Sequence, residues 1–168
     1  MQSLDVVGRW VFFTAWGHPN VSGTHETTFE ITSEGFLTPR GDCIIGVRSS
    51  VTPRELPGWF KALARREDSI IVVVLCSGSV CDSAVGRGGP EMSFSDDTRM
   101  VFRRSTYVGP ETVMVRSSKA AAHLRRDLIE SLRKGLMLRV GMTVVSGGEV
   151  LGEESLVYEL GGGSEDLI

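Results

Sequence analysis

The chain has 168 residues, of which 41% are hydrophobic and 23% charged, and a formal net charge of −3. That length fits one domain or two small halves that fold together, and the balance excludes an intrinsically disordered chain. The negative charge argues against a broadly basic nucleic-acid surface while leaving room for a local patch.

An apolar run over residues 6–16, interrupted by Gly8 and Arg9, predicts a strand ending at the turn Gly17-His18-Pro19-Asn20. From Thr24 the chain alternates. His25, Thr27, Phe29 and Ile31 fall on one face, and Thr24, Glu26, Thr28, Glu30 and Thr32 on the other, the period of a half-buried strand. The turn Thr38-Pro39-Arg40-Gly41 precedes a strand over 42–48. Thr52-Pro53-Arg54-Glu55 has the form of a capping box, with the main helix starting near Pro57 and running to Arg66. Residues 69–76 (SIIVVVLC) read as a buried strand.

A weaker strand over 80–85 and the turn GRGGP follow. Asp96, Thr98, Met100 and Phe102 then repeat the face of His25, Thr27, Phe29 and Ile31. A strand over 112–116 leads to a helix after Ser118, with Ala121, Leu124, Leu128 and Leu132 as its apolar stripe and Gly135 as its left-handed cap. A strand over 136–145, the hairpin signal Ser146-Gly147-Gly148-Glu149 and a closing strand over 150–160 complete the order.

One pattern is written twice. GHPNVSGTHETTFEIT from Gly17 aligns with GGPEMSFSDDTRMVFR from Gly88, 71 positions on, and VRSS recurs at 47–50 and 115–118. The fold expected is strand-rich α+β: two β-β-β-α-β units forming a mixed sheet, barrel-like or sandwich, with one helix per copy. Residues 1–160 are expected to form a single domain of two repeats (about 5–77 and 78–148) plus the closing strand, with an acidic tail over 161–168. Neither copy alone holds enough strands to bury a core.

Cys43, Cys76 and Cys81 are odd in number and contain no C-x-x-C pair, which reads as a reducing, cytoplasmic setting without a disulfide framework. The apolar start is too short to span a bilayer and lacks signal-peptide features, so no membrane association is expected. Fifteen Arg against three Lys suit anion recognition, although genome composition accounts for the bias equally well.

Polar residues concentrate around the first repeat's turn. His18, Asn20, Thr24, His25, Thr27, Arg40 and Asp42 are expected to line a cleft, with Asp96 opposite His25 across a pseudo-two-fold axis. The leading expectation is binding of an anionic, phosphorylated or nucleotide-like small molecule. Arg40 would pair the anion, His18 or His25 would donate hydrogen bonds or act as general acid–base, and Asp42 would orient one of them. A metal-assisted hydrolase using His18, His25 and Asp42 is the alternative, although His-x₆-His matches no specific metal motif. A third reading is an RNA- or ribosome-associated protein using the pairs Arg65-Arg66, Arg103-Arg104 and Arg125-Arg126. His123 is read as a surface residue of the second helix. The sequence names no cofactor, reaction or oligomeric state.

GHPNVSGTHETTFEIT followed by LTPRGDCIIGV (37–47) resembles a family of small archaeal proteins known only as domain-of-unknown-function family 371. The likeness is dense over 17–47. It continues more loosely through MVFRRS (100–105) and the helix after Ser118 to about Val145. The resemblance implies an archaeal, cytoplasmic origin and one compact domain, and brings no activity with it.

Overall fold

The computed structural model describes residues 5–7 and 9–145; the hairpin and closing strand expected beyond Val145 lie outside them. The strands are β1 (Asp5–Val7), β2 (Trp10–Trp16), β3 (Thr28–Thr32), β4 (Ile44–Gly46), β5 (Ile70–Ser77), β6 (Val80–Arg87), β7 (Arg99–Arg103), β8 (Thr112–Met114) and β9 (Met137–Val145). Two helices, α1 (Gly58–Ala64) and α2 (Arg126–Arg133), each follow a short 3₁₀ turn, Pro53–Glu55 and Ala121–His123.

The strands form a five-stranded antiparallel sheet, β1-β2-β9-β5-β6, and a four-stranded mixed sheet, β4-β3-β7-β8. The strand-rich α+β class stands, but the barrel alternative is corrected: among the described residues both sheets are open. Single antiparallel bridges, Trp16 to Val47 and Arg87 to Val115, fasten them at two corners. β4 and β8 are three residues long, too short to carry a ladder around into closure.

One apolar core lies between the sheets and helices. Phe29 and Phe102, opposite each other in the β3–β7 pair, stack at 4.4 Å, and Ile71, Val73, Leu138, Met142, Phe60 and Leu128 pack into the same cluster. Alternation in β2 (WVFFTAW) places Val11, Phe13 and Ala15 in this core.

Strand pairing runs mostly between the two halves of the chain. β2 pairs β9, β5 pairs both β6 and β9, and β3 pairs β7. The helices are crossed in the same way. Residues 17–25, in the first half, lie against α2 in the second: His18 N–H donates to Leu132 O (2.9 Å), and the Arg126 guanidinium donates to Gly23 O (3.0 Å). Residues 88–96, in the second half, lie against α1 in the first, where Arg65 donates to Met92 O (2.8 Å) and Phe60 meets Phe94 edge-on. Gly17 and Gly88 open these segments. A Cβ on either would sit 2.0 Å from a helix carbonyl, that of Leu132 or Ala64, so no side chain fits.

Several boundaries differ from expectation. β3 starts at Thr28, which leaves His25 and Thr27 outside the strand; its other face is also buried, because Arg99 grips Glu30 there in a bidentate pair (3.2 and 3.1 Å). The helix expected from Ala121 through Leu132 is broken at Leu124 (ψ 152°). Arg126 donates to the carbonyls of Ala121 (2.6 Å) and Leu124 (2.8 Å), and Asp82 takes the Arg125 N–H (2.9 Å), so groups that would continue the helix are engaged elsewhere. Gly135 has the expected left-handed φ, +82°.

The expectation of no disulfide is also corrected: Cys76 and Cys81 are bonded, with Cα atoms 4.1 Å apart. Register explains it. The β5–β6 hairpin turns at Gly78-Ser79 and sets Cys76 directly opposite Cys81, a proximity that sequence spacing hides. Cys43, the free cysteine, lies beside the buried Glu30 carboxylate (Sγ to Oε1 3.7 Å). Burial, then the Glu30 charge, push its thiol up to about 11.

Three outcomes follow from this arrangement. Gly17→Ala should destabilise the protein by about 1–3 kcal/mol in urea unfolding, through the clash at Leu132 O. Fragments divided at Gly78 should each lack a cooperative thermal transition and regain one when mixed; a fragment that melts cooperatively alone would contradict the crossed packing. Cys43 in the native protein should alkylate at pH 8.5 on the order of a hundredfold more slowly than in urea. Because its folded pKa is raised from 9.0, its contribution to stability is complete below that value and lost as pH rises through about 11.

Candidate functional site

The segment 17–25, which runs along α2, carries four of the eight expected residues. His18 lies by the helix's C-terminal end, where its Nδ1 accepts the Asn20 N–H (3.0 Å), while the Asn20 side chain donates to Leu37 O (2.7 Å). Farther on, the Thr24 and His25 N–H groups donate to Asp42 O (3.1 and 3.2 Å). Asp42 thus meets His25 through its carbonyl rather than its carboxylate. Arg40 accepts the Asp42 N–H on its own carbonyl (2.9 Å), and its side chain is exposed.

His25 builds the turn into β3. Its Nδ1 accepts the N–H groups of Thr27 (3.2 Å) and Thr28 (3.1 Å), with both threonine hydroxyls also within 3.3 Å. A ring nitrogen facing these donors must present its lone pair, which puts the imidazole proton on Nε2. Asp96 performs the same task before β7, where its Oδ1 accepts the N–H groups of Thr98 (2.8 Å) and Arg99 (2.7 Å). Each residue's carbonyl is taken by a 3₁₀ turn: His25 O by Ala122 N–H (2.9 Å) and Asp96 O by Arg54 N–H (3.1 Å).

His25 and Asp96 do not face each other. His25 lies three residues before Thr28, which pairs with Arg103; Asp96 lies three before Arg99, which pairs with Thr32. Antiparallel pairing therefore puts them at opposite ends of the β3–β7 ribbon, about 14 Å apart along it at the usual strand rise.

The 3₁₀ turns extend the contrast between the ends. At the Asp96 end the Glu55 carboxylate accepts the Thr52 N–H (3.0 Å), closing a capping box. At the His25 end His123 takes that role, its Nδ1 accepting the Ala120 N–H (3.0 Å). Its proton too is therefore on Nε2, and Arg104 Nη1 lies 3.3 Å from that atom. Arg104 is held at this end by its own N–H, which donates to Thr27 O (2.9 Å). Thr24, His25, Thr27, Arg104 and His123 thus share one end of the ribbon, and Asp96 with Glu55 the other.

Two further groupings bear on chemistry. Among the described residues no three His, Cys, Asp or Glu side chains come together as metal ligands would, so His18, His25 and Asp42 are not gathered into a triad. Most of the paired arginines serve the fold or an adjacent carboxylate. Arg65 holds Met92 O and Ser93 O, Arg66 pairs Asp68, Arg125 pairs Asp127, and Arg126 clasps three carbonyls. Arg103 binds Glu111 and Thr112 (2.9 Å) and lies over the Tyr107 ring (4.8 Å). Arg104 is the exception, its guanidinium lying beside the His123 ring instead. Sequence reasoning named Arg104 only within an RNA-contacting pair and His123 only as a surface residue, although continuing the VRSS alignment into the helices sets His123 against Glu55 of the capping box.

No helix among the described residues is long and apolar enough to cross a membrane. The profile of the domain of unknown function DUF371 matches residues 13–145. An uncharacterised protein of Methanocaldococcus jannaschii is 38% identical over 121 residues, spanning 72% of this chain and 89% of that one. Both ends of the ribbon and both helices fall inside the matched region, and the chain belongs to the DUF371 family.

Proposed function

We propose that the chain is a duplicated β-β-β-α-β unit whose two ends have diverged, and that the end carrying His25 and His123 binds an anionic small molecule. One observation carries this reading. At two matched cap positions the backbone needs an acceptor, and one end supplies carboxylates (Asp96, Glu55) where the other supplies imidazoles (His25, His123). A carboxylate used as a cap keeps a negative charge and spare acceptor oxygens. An imidazole used as a cap turns an Nε2–H donor away from the turn.

The His25 end is therefore lined with donors: two imidazole N–H groups, the Arg104 guanidinium and the Thr24 and Thr27 hydroxyls. Donors dominate this exposed end, where Glu26 is also exposed between His25 and Thr27, and they suit phosphate, sulfate or carboxylate groups. His18 and Asn20 set the path of the approaching segment, and Asp42 fixes its last turn through backbone. Arg40, two residues away, adds positive charge near the rim. Asp96 belongs to the opposite end and repels such a ligand there.

The second half provides a substitution that preserves the fold. In His25→Asp the new carboxylate accepts the Thr27 and Thr28 N–H groups as Asp96 accepts those of Thr98 and Arg99, while the donor is lost and a negative charge gained. Calorimetric titration with inorganic phosphate and with a mononucleotide should show binding to wild type and at least about tenfold weaker binding to this variant, with the melting temperature little changed. Equal affinity in the two proteins, or no heat with either probe, would overturn the assignment.

A further inference from the structure

We infer that Arg104 and His123 together form a clamp for one oxygen of a phosphate monoester, an inference that rests on the anion-binding reading and names its recognition element. The Ala120 N–H occupies His123 Nδ1, so Nε2 carries hydrogen; Arg104 Nη1 carries only hydrogens. The two nitrogens lie 3.3 Å apart, and a hydrogen bond between them would need an acceptor that neither has. Two donors converge where no acceptor stands.

An oxygen lone pair resolves that conflict. One oxygen at ordinary hydrogen-bond distance from each nitrogen completes a triangle on the 3.3 Å base, accepting both hydrogens in charge-assisted geometry. The two donors reach this point from separate elements, Arg104 from the end of β7 and His123 from the 3₁₀ turn before α2, while His25 and Thr27 lie in the turn into β3 at the same end. Two donors from separate elements, rather than one planar fork, suit a tetrahedral dianion better than a planar carboxylate. At the matched place beyond the other end of the ribbon stand Ser33 and Glu55, a hydroxyl and a carboxylate, which offer no such pair.

The clamp predicts a graded variant series, read by titrating inorganic phosphate, and acetate separately, while following side-chain ¹⁵N resonances. In wild type the His123 Nε2 and Arg104 resonances should shift with phosphate and move little with acetate. His123→Gln keeps both functions, with an amide oxygen for the Ala120 N–H and an amide NH₂ for the ligand, and should bind within about threefold of wild type. His123→Glu keeps the cap as Glu55 does but loses the donor, and Arg104→Ser reproduces Ser33; each should weaken phosphate binding at least about tenfold. If His25→Asp abolishes binding while His123→Glu and Arg104→Ser leave it unchanged, the anion site stands and the clamp is wrong. Equal shifts with acetate would overturn the phosphoryl preference, and no response of wild type to phosphate would overturn site and clamp together. Should His123→Glu fail to fold, the contrast between His123→Gln and Arg104→Ser decides.

Discussion

The structure depends on a reciprocal grip between its halves. Each sends an irregular segment across to the other's helix, and at both crossings a glycine lies against a helix carbonyl with no room for a side chain. Arginine guanidinia then hold the carbonyls of the crossing segments, Arg126 at Gly23 and Arg65 at Met92 and Ser93. Such bonds satisfy backbone groups that would otherwise stay unpaired in a partly buried loop. Neither segment has regular secondary structure of its own, so its path is set by the partner half. That path carries His25 to one 3₁₀ turn and Asp96 to the other.

The same constraint lets the polar character of an end differ without disturbing the fold. A turn that needs two N–H groups accepted, or a capping box that needs one, is indifferent to whether the acceptor is a carboxylate oxygen or an imidazole nitrogen. What differs is the side of the group left facing solvent. Exchanging Asp for His or Glu for His therefore inverts the hydrogen-bonding character of an exposed end while its backbone stays in register. The interior polar pairs follow a different logic. Glu30 with Arg99, and Glu111 with Arg103, bind carboxylates against the four-stranded sheet, and the Cys43 thiol stays protonated beside Glu30.

Much of the fold was legible in the sequence because its signals are local. The apolar run that becomes β2, the Thr52–Glu55 capping box, the helix start at Pro57 and the Gly135 cap each depend on neighbours a few residues away. The parity of Phe29, Ile31, Met100 and Phe102 correctly placed them in the core. Where the reading failed, distant partners decided. Alternation suggested that β3 began at Thr24, but the Asp42 carbonyl and the imidazole of His25 draw those residues into a turn. The apolar stripe suggested one helix through Leu124, but Asp82 and Arg126 break it. The disulfide required the hairpin register, and the wide separation of His25 from Asp96 required the antiparallel sense of β3 against β7.

The strand order has a consequence for how the chain is made. β9, the last strand described, sits between β2 and β5, and supplies the neighbour that each of them lacks until then. A nascent chain leaving the ribosome therefore holds β2 and the apolar β5 with open edges through most of translation. The five-stranded sheet is completed only once residue 145 has emerged, so its assembly waits on a pairing between strands far apart along the described residues.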